Sequence, residues 1–411
     1  MYRSGKMIRF GMFIVACALS ASTAFAEPTV QIVYSFTGNN GTSDGNDPAA
    51  PLLKGQHGEF IGTTAYGGAS THCQGGGCGT VFKVKADGTE TVLHSFSGGS
   101  DGALPVAGLI RGRNGYLYGT TQLGGGGAGC LSDSFIQDYG SPGCGTVFSI
   151  SPDGVEQVIC AFTGINGDGW LVVGGLVQDS NGNLYGATAA GGAYQAGMVF
   201  EITAAGTEVV LYSFTGADDG SEPFGGVTLG PDGALYGVTW NGGAAGLGTV
   251  YRVTTDGTEQ VLWTFNGGPA DGAYPQTGLL LAGDGNFYGS TSLGGTFGYG
   301  AFFKITPAGA LTLIYSSPSP AGSPTGQLAQ DAAGNLFGTT QFGGSTGYGS
   351  VFELDTNGVF TTLVDFPGWQ NGGVSNPGGG VTLGKDGWLW GTSSLGGSID
   401  GGAVFRVRIP H

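Results

Sequence analysis

The sequence predicts an all-β chain closed into a ring of seven four-stranded blades. Three observations carry that prediction: a glycine-rich yet apolar composition, a set of motifs repeated seven times, and one motif copy displaced to the beginning of the chain. Of 411 residues, 88 are Gly and 17 are Pro, a share at which low-complexity disorder becomes an option. Disorder is excluded by 40% hydrophobic and 11% aromatic residues against only 10% charged ones, enough apolar surface to build a core. Helices are disfavoured as well, because each interior Gly costs about 1 kcal/mol relative to Ala. Gly does not recur at every third position, so collagen is excluded. What is left is strands joined by many turns.

The block G-x-L-Y-G-T-T, with substitutions, begins at Gly58, Gly115, Gly182, Gly233, Gly285, Gly334 and Gly387. One interval is lengthened by an insertion between Gly126 and Gly143. A second block, G-T-V-F, starts at Gly79, Gly145, Gly197, Gly248, Gly300, Gly349 and Gly402. A third, V-L-x-S-F, ends at Phe96, Phe162, Phe214, Phe265 and Phe366, with a degraded copy at Leu313-Ile314-Tyr315-Ser316. Each repeat adds a short apolar run such as Gly108-Leu109-Ile110, and turns such as Asp87-Gly88 separate some of the runs. Four β-compatible runs with hairpin turns make an antiparallel blade, and seven blades in a ring make a β-propeller, which leaves few exposed strand edges. The last G-T-V-F block has no V-L-x-S-F after it; the missing copy is Ile32-Val33-Tyr34-Ser35-Phe36. Residues 29–36 are therefore expected to form the outer strand of the blade built from residues 380–409, locking the chain ends together. A linear solenoid has no reason to start out of phase.

Residues 1–26 read as an export signal. Arg3, Lys6 and Arg9 precede an apolar run from Phe10 to Leu19, and Ala24-Phe25-Ala26 supplies a small-x-small cleavage site. The rival reading is a lipobox ending at Cys17, which would anchor the chain by acylation. No other segment approaches the ~20 apolar residues of a membrane span. Residues 27–411 are expected to be one domain, a monomer, placed in the periplasm, outside the cell or at its surface. That stretch carries 29 acids against 10 Lys plus Arg, a balance that repels phosphate backbones and excludes nucleic acid as a partner.

The combination of L-Y-G-T-T, Gly-Gly, G-T-V-F, D-G-T-E and V-L-x-S-F resembles the GloVer-type tandem-repeat proteins, exported bacterial proteins described by a choice of anchor at the C terminus. The resemblance covers essentially all of residues 27–411. It implies export and a propeller-like architecture and brings no catalytic residues. Val404 to His411 reads as a strand and short tail, without a sorting motif, apolar span or basic end, so anchoring by that route is not expected.

Five cysteines lie beyond the signal. Cys78 and Cys144 each precede a G-T-V-F block, and each has a second cysteine upstream in its loop. Cys73–Cys78 and Cys130–Cys144 are the expected disulfides of an oxidising compartment, with Cys160 a buried free thiol. A metal site on His72, Cys73 and Cys78 competes, but it lacks a C-x-x-C pair or a second His.

Asp44, Asp101, Asp168, Asp219 and Asp271 recur before Gly in the loop that follows V-L-x-S-F. Either each caps its own turn, or together they ring one mouth of the channel and attract calcium or a cationic ligand; recurrence with the repeat favours the turn. The segment from Asn39 to Asp47, with Asp44, Asn46 and Asp47, is the best local calcium candidate. Tyr66, Trp170, Trp240 and Trp369 break the repeat pattern in or beside loops, as ligand platforms or as covers between blades. Trp390 sits at a recurring strand position and reads as structural. The Gly-Gly pairs precede neither a helix nor a Lys, so there is no phosphate loop.

Only four histidines exist, and none stands in a nucleophile elbow or an H-E-x-x-H helix. The insertion, with Asp133, Asp138 and Tyr139, carries no recognisable acid–base set. The expected function is a non-enzymatic exported module of the envelope or extracellular space that binds a carbohydrate or cell-surface ligand, or serves as structure, with no cofactor beyond calcium. The alternative is a lyase or glycosidase acting on polysaccharide.

Overall fold

In blade 1 the apolar run, the L-Y-G-T-T copy, the G-T-V-F copy and the V-L-x-S-F copy become the strands Leu53–Lys54, Phe60–Thr64, Thr80–Val84 and Glu90–Ser95, paired in that order from inside to outside. The same four-strand order repeats around the molecule, so the ring has seven blades. This computed structural model describes residues 29–38, 44–73, 76–130, 141, 143–319 and 324–410. The export signal with Cys17, and Asp133, Asp138 and Tyr139 of the insertion, lie outside the described residues.

The ring closes as the displaced motif demands. Val30–Ser35 lies antiparallel to Ala403–Arg408 as the outer strand of blade 7, with Val30 opposite Val407 and Ser35 opposite Ala403. Arg406 Nε donates to Gln31 Oε1 at 3.0 Å, and Phe36 N–H donates to Gly402 O at 3.0 Å. First and last strands are thus hydrogen-bonded partners.

The repeated letters have repeated physical causes. The second Gly of L-Y-G-T-T leaves room for the G-T-V-F ring behind it: a Cβ on Gly62 would stand 2.6 Å from Phe82 Cζ. The Gly of G-T-V-F has φ +97° at Gly79, and a Cβ there would stand 2.5 Å from Pro105 of the next blade. Between them, the last Thr of L-Y-G-T-T shares a buried hydrogen bond with the Thr of G-T-V-F, 2.8 Å for Thr64 and Thr80. Neighbouring blades interlock through their phenylalanines. Phe36 meets Phe82 edge-on at 4.9 Å, Phe96 meets Phe148 at 5.1 Å, and Phe366 meets Phe405 at 4.9 Å, all fully buried.

All seven outer strands carry a bulge at the same place, between the third-strand positions held by Val81 and Phe82 in blade 1. The extra residue sharpens the local twist and bends the outer strand. At four junctions its carbonyl abuts the hairpin of the next blade, as Val33 O lies 2.9 Å from where a Cβ of Gly88 would be and Leu211 O lies 2.8 Å from that of Gly257. At those junctions the start of one outer strand stands beside the bulge of the one before it.

Candidate functional site

The inner strands surround a central channel of about 880 Å³ with residues from all seven blades. Its lining is aliphatic around blades 1 to 3, with Ala49, Val106 and Val173, and becomes aromatic and amide-bearing at Phe224, Gln276 and Gln341. Lys54 is the one ionisable side chain among the described lining residues, and its Nζ is tied to Leu383 O at 3.0 Å.

The loop-rich mouth is framed by residues that share an uncommon backbone. Asp47, Leu104, Leu171, Glu222, Tyr274 and Asn376 occupy one position of the repeat, and all have φ between 56° and 62°. A left-handed backbone at a non-Gly residue costs about 1–3 kcal/mol and persists only where its surroundings hold it. Each of these N–H groups donates to the residue before the G-T-V-F glycine of the preceding blade, as Glu222 does to Ala196 O (2.9 Å) and Tyr274 to Leu247 O (2.9 Å). The strained residue is a backbone stitch between blades.

At Tyr274 this stitch builds a shelf. Trp240 follows the second strand of blade 4 and donates its N–H to Glu222 O at 3.0 Å. Its ring lies 5.7 Å from that of Tyr274 and 5.8 Å from that of Phe224, which lines the channel. All three rings are half-buried. Beside them Asn241 Nδ2 donates to Glu222 Oε2 at 3.2 Å. Trp240 was visible in the sequence as a break in the repeat, whereas Phe224, Tyr274, Gln276 and Gln341 were not. Their signal lay in comparing equivalent loop positions blade by blade.

The other aromatic candidates separate by environment. Trp170 pairs in register with Ala190 and packs on the core of blades 1 to 3, as does Tyr66. Trp369 is 46% exposed beside the short 3-10 turn Gln370–Gly372. It belongs to an apolar set on the loop-rich face of blades 5 to 7 that includes Leu293, Phe297, Phe342, Leu395 and Ile399.

The five loop aspartates do not gather at the mouth; none of them lines the channel. Each folds back on the residue after the outer-strand Phe, accepting from its backbone N–H: Thr37 to Asp44 (2.9 Å), Ser97 to Asp101 (2.8 Å), Thr163 to Asp168 (2.6 Å), Thr215 to Asp219 (2.7 Å) and Asn266 to Asp271 (2.7 Å). The turn-capping reading thus describes their geometry. Most also take a bond from the side chain two residues before that Phe, as Tyr34 Oη gives Asp44 (2.8 Å), Tyr212 Oη gives Asp219 (2.9 Å) and Trp263 Nε1 gives Asp271 (3.2 Å). Burial works against the Asp101 charge, but His94 and Ser97 together hold its carboxyl down at about 2.

In the calcium candidate, Asn39 and the rest of residues 39–43 lie outside the described residues. Asp44 is taken up by Thr37 and Tyr34, and Asn46 pairs its backbone with Tyr66. Burial pushes the Asp47 carboxyl up, while its hydrogen bond with Ser394 opposes that. Among the described residues no three His, Cys, Asp or Glu side chains converge as a metal-binding group.

Cys73–Cys78 and Cys130–Cys144 are disulfides, which removes the thiolates that a metal site with His72 would need. Both brace loops between blades: Gly98 stands against the sulfurs of Cys73 and Cys78, and Gly164 against Cys144. Cys160 is free but half-buried, not fully buried as expected, because its Sγ reaches out to Glu208 Oε2 at 3.3 Å. No helix among the described residues is long and apolar enough to cross a membrane.

A glycine-rich ring of seven blades with an aromatic shelf at one mouth is a β-propeller of the repeat-built kind. A family model described as the Gloeobacter/Verrucomicrobia repeat matches residues 134–323 and 257–411, and the chain belongs to that family. No curated protein matches it. Among solved structures it is similar to a protein of unknown function from Dyadobacter fermentans, with 11% identity, 94% of this chain and 99% of the other covered, and a TM-score of 0.50. It is also similar to a gluconolactonase from Xanthomonas campestris (12% identity, 93% and 90% covered, TM-score 0.45). A luciferin-regenerating enzyme gives 13% identity, 93% and 95% coverage and a TM-score of 0.43. At such identities the likeness is one of fold alone.

Proposed function

We propose that this protein is an exported, non-enzymatic binding module that holds an uncharged carbohydrate at the loop-rich mouth of its channel. The observation that carries the reading is Trp240, clasped between Phe224 and a Tyr274 whose backbone is held left-handed. A flat aromatic stacks on the apolar face of a sugar ring, and the amides of Gln276 and Gln341 and the Glu222–Asn241 pair supply the polar contacts that orient hydroxyls. The exposed apolar loops of blades 5 to 7 extend the same face, as a longer glycan chain requires. A formal charge of −16 opposes acidic polymers. Two disulfides fit an oxidising compartment, in keeping with export.

The test is calorimetry against a panel of neutral oligosaccharides with product analysis of the same mixtures. Wild type is expected to bind at least one of them without releasing products, and Trp240→Ala to weaken that binding about tenfold or more, the ~1.4 kcal/mol of one lost stacking contact. Cleavage of a glycan would replace this reading with a lyase or glycosidase. Binding unchanged in Trp240→Ala would move the site away from the shelf.

A further inference from the structure

Four successive blade junctions, from blade 7 round to blade 4, bring together the same three positions of the repeat. These are the loop aspartate, the residue two before the outer-strand Phe, and the glutamate that opens the next blade's outer strand. Tyr34, Asp44 and Glu90 meet at the first junction; His94, Asp101 and Glu156 at the second; Cys160, Asp168 and Glu208 at the third; Tyr212, Asp219 and Glu259 at the fourth. In all four glutamates Oε1 is buried and has no hydrogen-bond partner. Four equivalent orphaned oxygens are a pattern that calls for one explanation.

Among the described residues no Lys or Arg acts on any of them. Glu90 faces Asp44 and Tyr34; Glu156 faces His94 and Asp101; Glu208 faces Asp168 and Cys160; Glu259 faces Asp219, Tyr212 and the buried Tyr251. An ionised glutamate cannot accept a hydrogen bond from the ionised aspartate beside it, whereas a protonated one can donate to that aspartate.

We infer that these four junctions are proton-binding clasps, which close one arc of the ring in mildly acidic surroundings and loosen it in alkaline ones. With the proton in place each glutamate is neutral and able to donate; without it, two like charges are held together in a half-buried cleft. Burial first, and then the neighbouring aspartate charge, pushes Glu90, Glu208 and Glu259 up to about 7 and also raises Glu156. His94 lowers Glu156 in part, which makes the second clasp the weakest. A carboxyl raised in the folded state binds a proton that the unfolded chain has already released. Its stabilisation is full below the ordinary glutamate range and is lost as pH rises through about 7.

The remaining junctions supply the internal control. Leu311 takes the glutamate position in blade 5, and it and Trp263 both pack against one apolar core cluster. Phe360 takes it in blade 6 and stacks on Tyr315 at 4.4 Å and 13°. At the junction of blades 6 and 7, Val30 and Val364 both pack against one apolar core cluster. None of these three positions carries a carboxyl.

The experiment is thermal unfolding of the full chain between pH 5 and 8.5 at fixed ionic strength, beside the variant Glu90→Gln, Glu208→Gln, Glu259→Gln. Wild-type Tm is expected to fall across this range, and unfolding near pH 6 to release about two to three protons more than the variant does. The variant, which keeps neutral side chains of the same shape, is expected to lose that slope and to exceed wild type at pH 8. A wild-type Tm that is flat or rises over this range, or a variant that keeps the wild-type slope, overturns the inference. Infrared titration of the folded wild type needs no substitution: carboxyls titrating near 7 support the clasps, and titration of every carboxyl below pH 5.5 overturns them.

Discussion

Glu259 in blade 4 and Phe360 in blade 6 hold the same place in the repeat, each near the hairpin that leans on the previous blade, yet their surroundings differ in kind. Glu259 meets Asp219 and Tyr212 with one oxygen left orphaned, whereas Phe360 lies flat on Tyr315 and on Phe352, 4.8 Å away. The backbone is shared, down to the bulge before Tyr212 and the one before Tyr315. A bulge that turns one side chain toward the next blade will accept either chemistry. The geometry of a junction is thus a property of the repeat, and its response to pH a property of two or three side chains.

The sharpest way to break this comparison is to exchange the chemistry. Phe360→Glu puts a carboxylate against Tyr315 without a donor network and is expected to cost about 3 kcal/mol at pH 8, the scale of an unpaired half-buried charge. The cost should shrink at pH 5, where the carboxyl is protonated, and urea unfolding at both values measures it. An equal loss at the two pH values would mean that the junction senses shape and not charge.

An effect of equal or smaller size is expected at the disulfides, which brace the loops carrying Asp101 and Asp168 and are found on the carboxylate arc alone among the described residues. Cys130→Ser with Cys144→Ser should cost about 3 kcal/mol, and Cys73→Ser with Cys78→Ser about 2 kcal/mol, following the lengths of the loops they close. Denaturant curves under non-reducing conditions read both. Stability unchanged in either pair would mean that Asp101 and Asp168 hold their loops unaided.

The ring, its blade count, its closure and both disulfides were legible in the sequence because each is written in repetition or in local spacing. Ile32 to Phe36 could be assigned to blade 7 because it is a copy of a motif that blade 7 lacks. The clasps were not legible. Glu90 belongs to a hairpin motif and Asp44 to a loop motif of a different blade, and only the twist of the outer strands brings them together. Tyr34, His94 and Cys160 read as ordinary strand residues, since nothing in the sequence reveals that a bulge re-aims them. The loop aspartates were expected either in turns or around the mouth. They belong to the turns and the junctions because Thr37 and its equivalents draw them back toward the outer strands. At the mouth, Trp240 stood out by breaking its repeat. Tyr274 did not, because a left-handed backbone before proline has no signature of its own in a position that varies from blade to blade.

The central claim, one backbone closed by two chemistries, is tested most directly by amide hydrogen exchange of the wild-type chain at pH 6 and pH 8, corrected for intrinsic rates and resolved by peptide. The outer strands Glu90–Ser95, Glu156–Ala161, Glu208–Ser213 and Glu259–Thr264 should lose protection at the higher pH, while Leu311–Ser316 and Phe360–Asp365 keep theirs. Equal change in all six strands, or none in the first four, would contradict it.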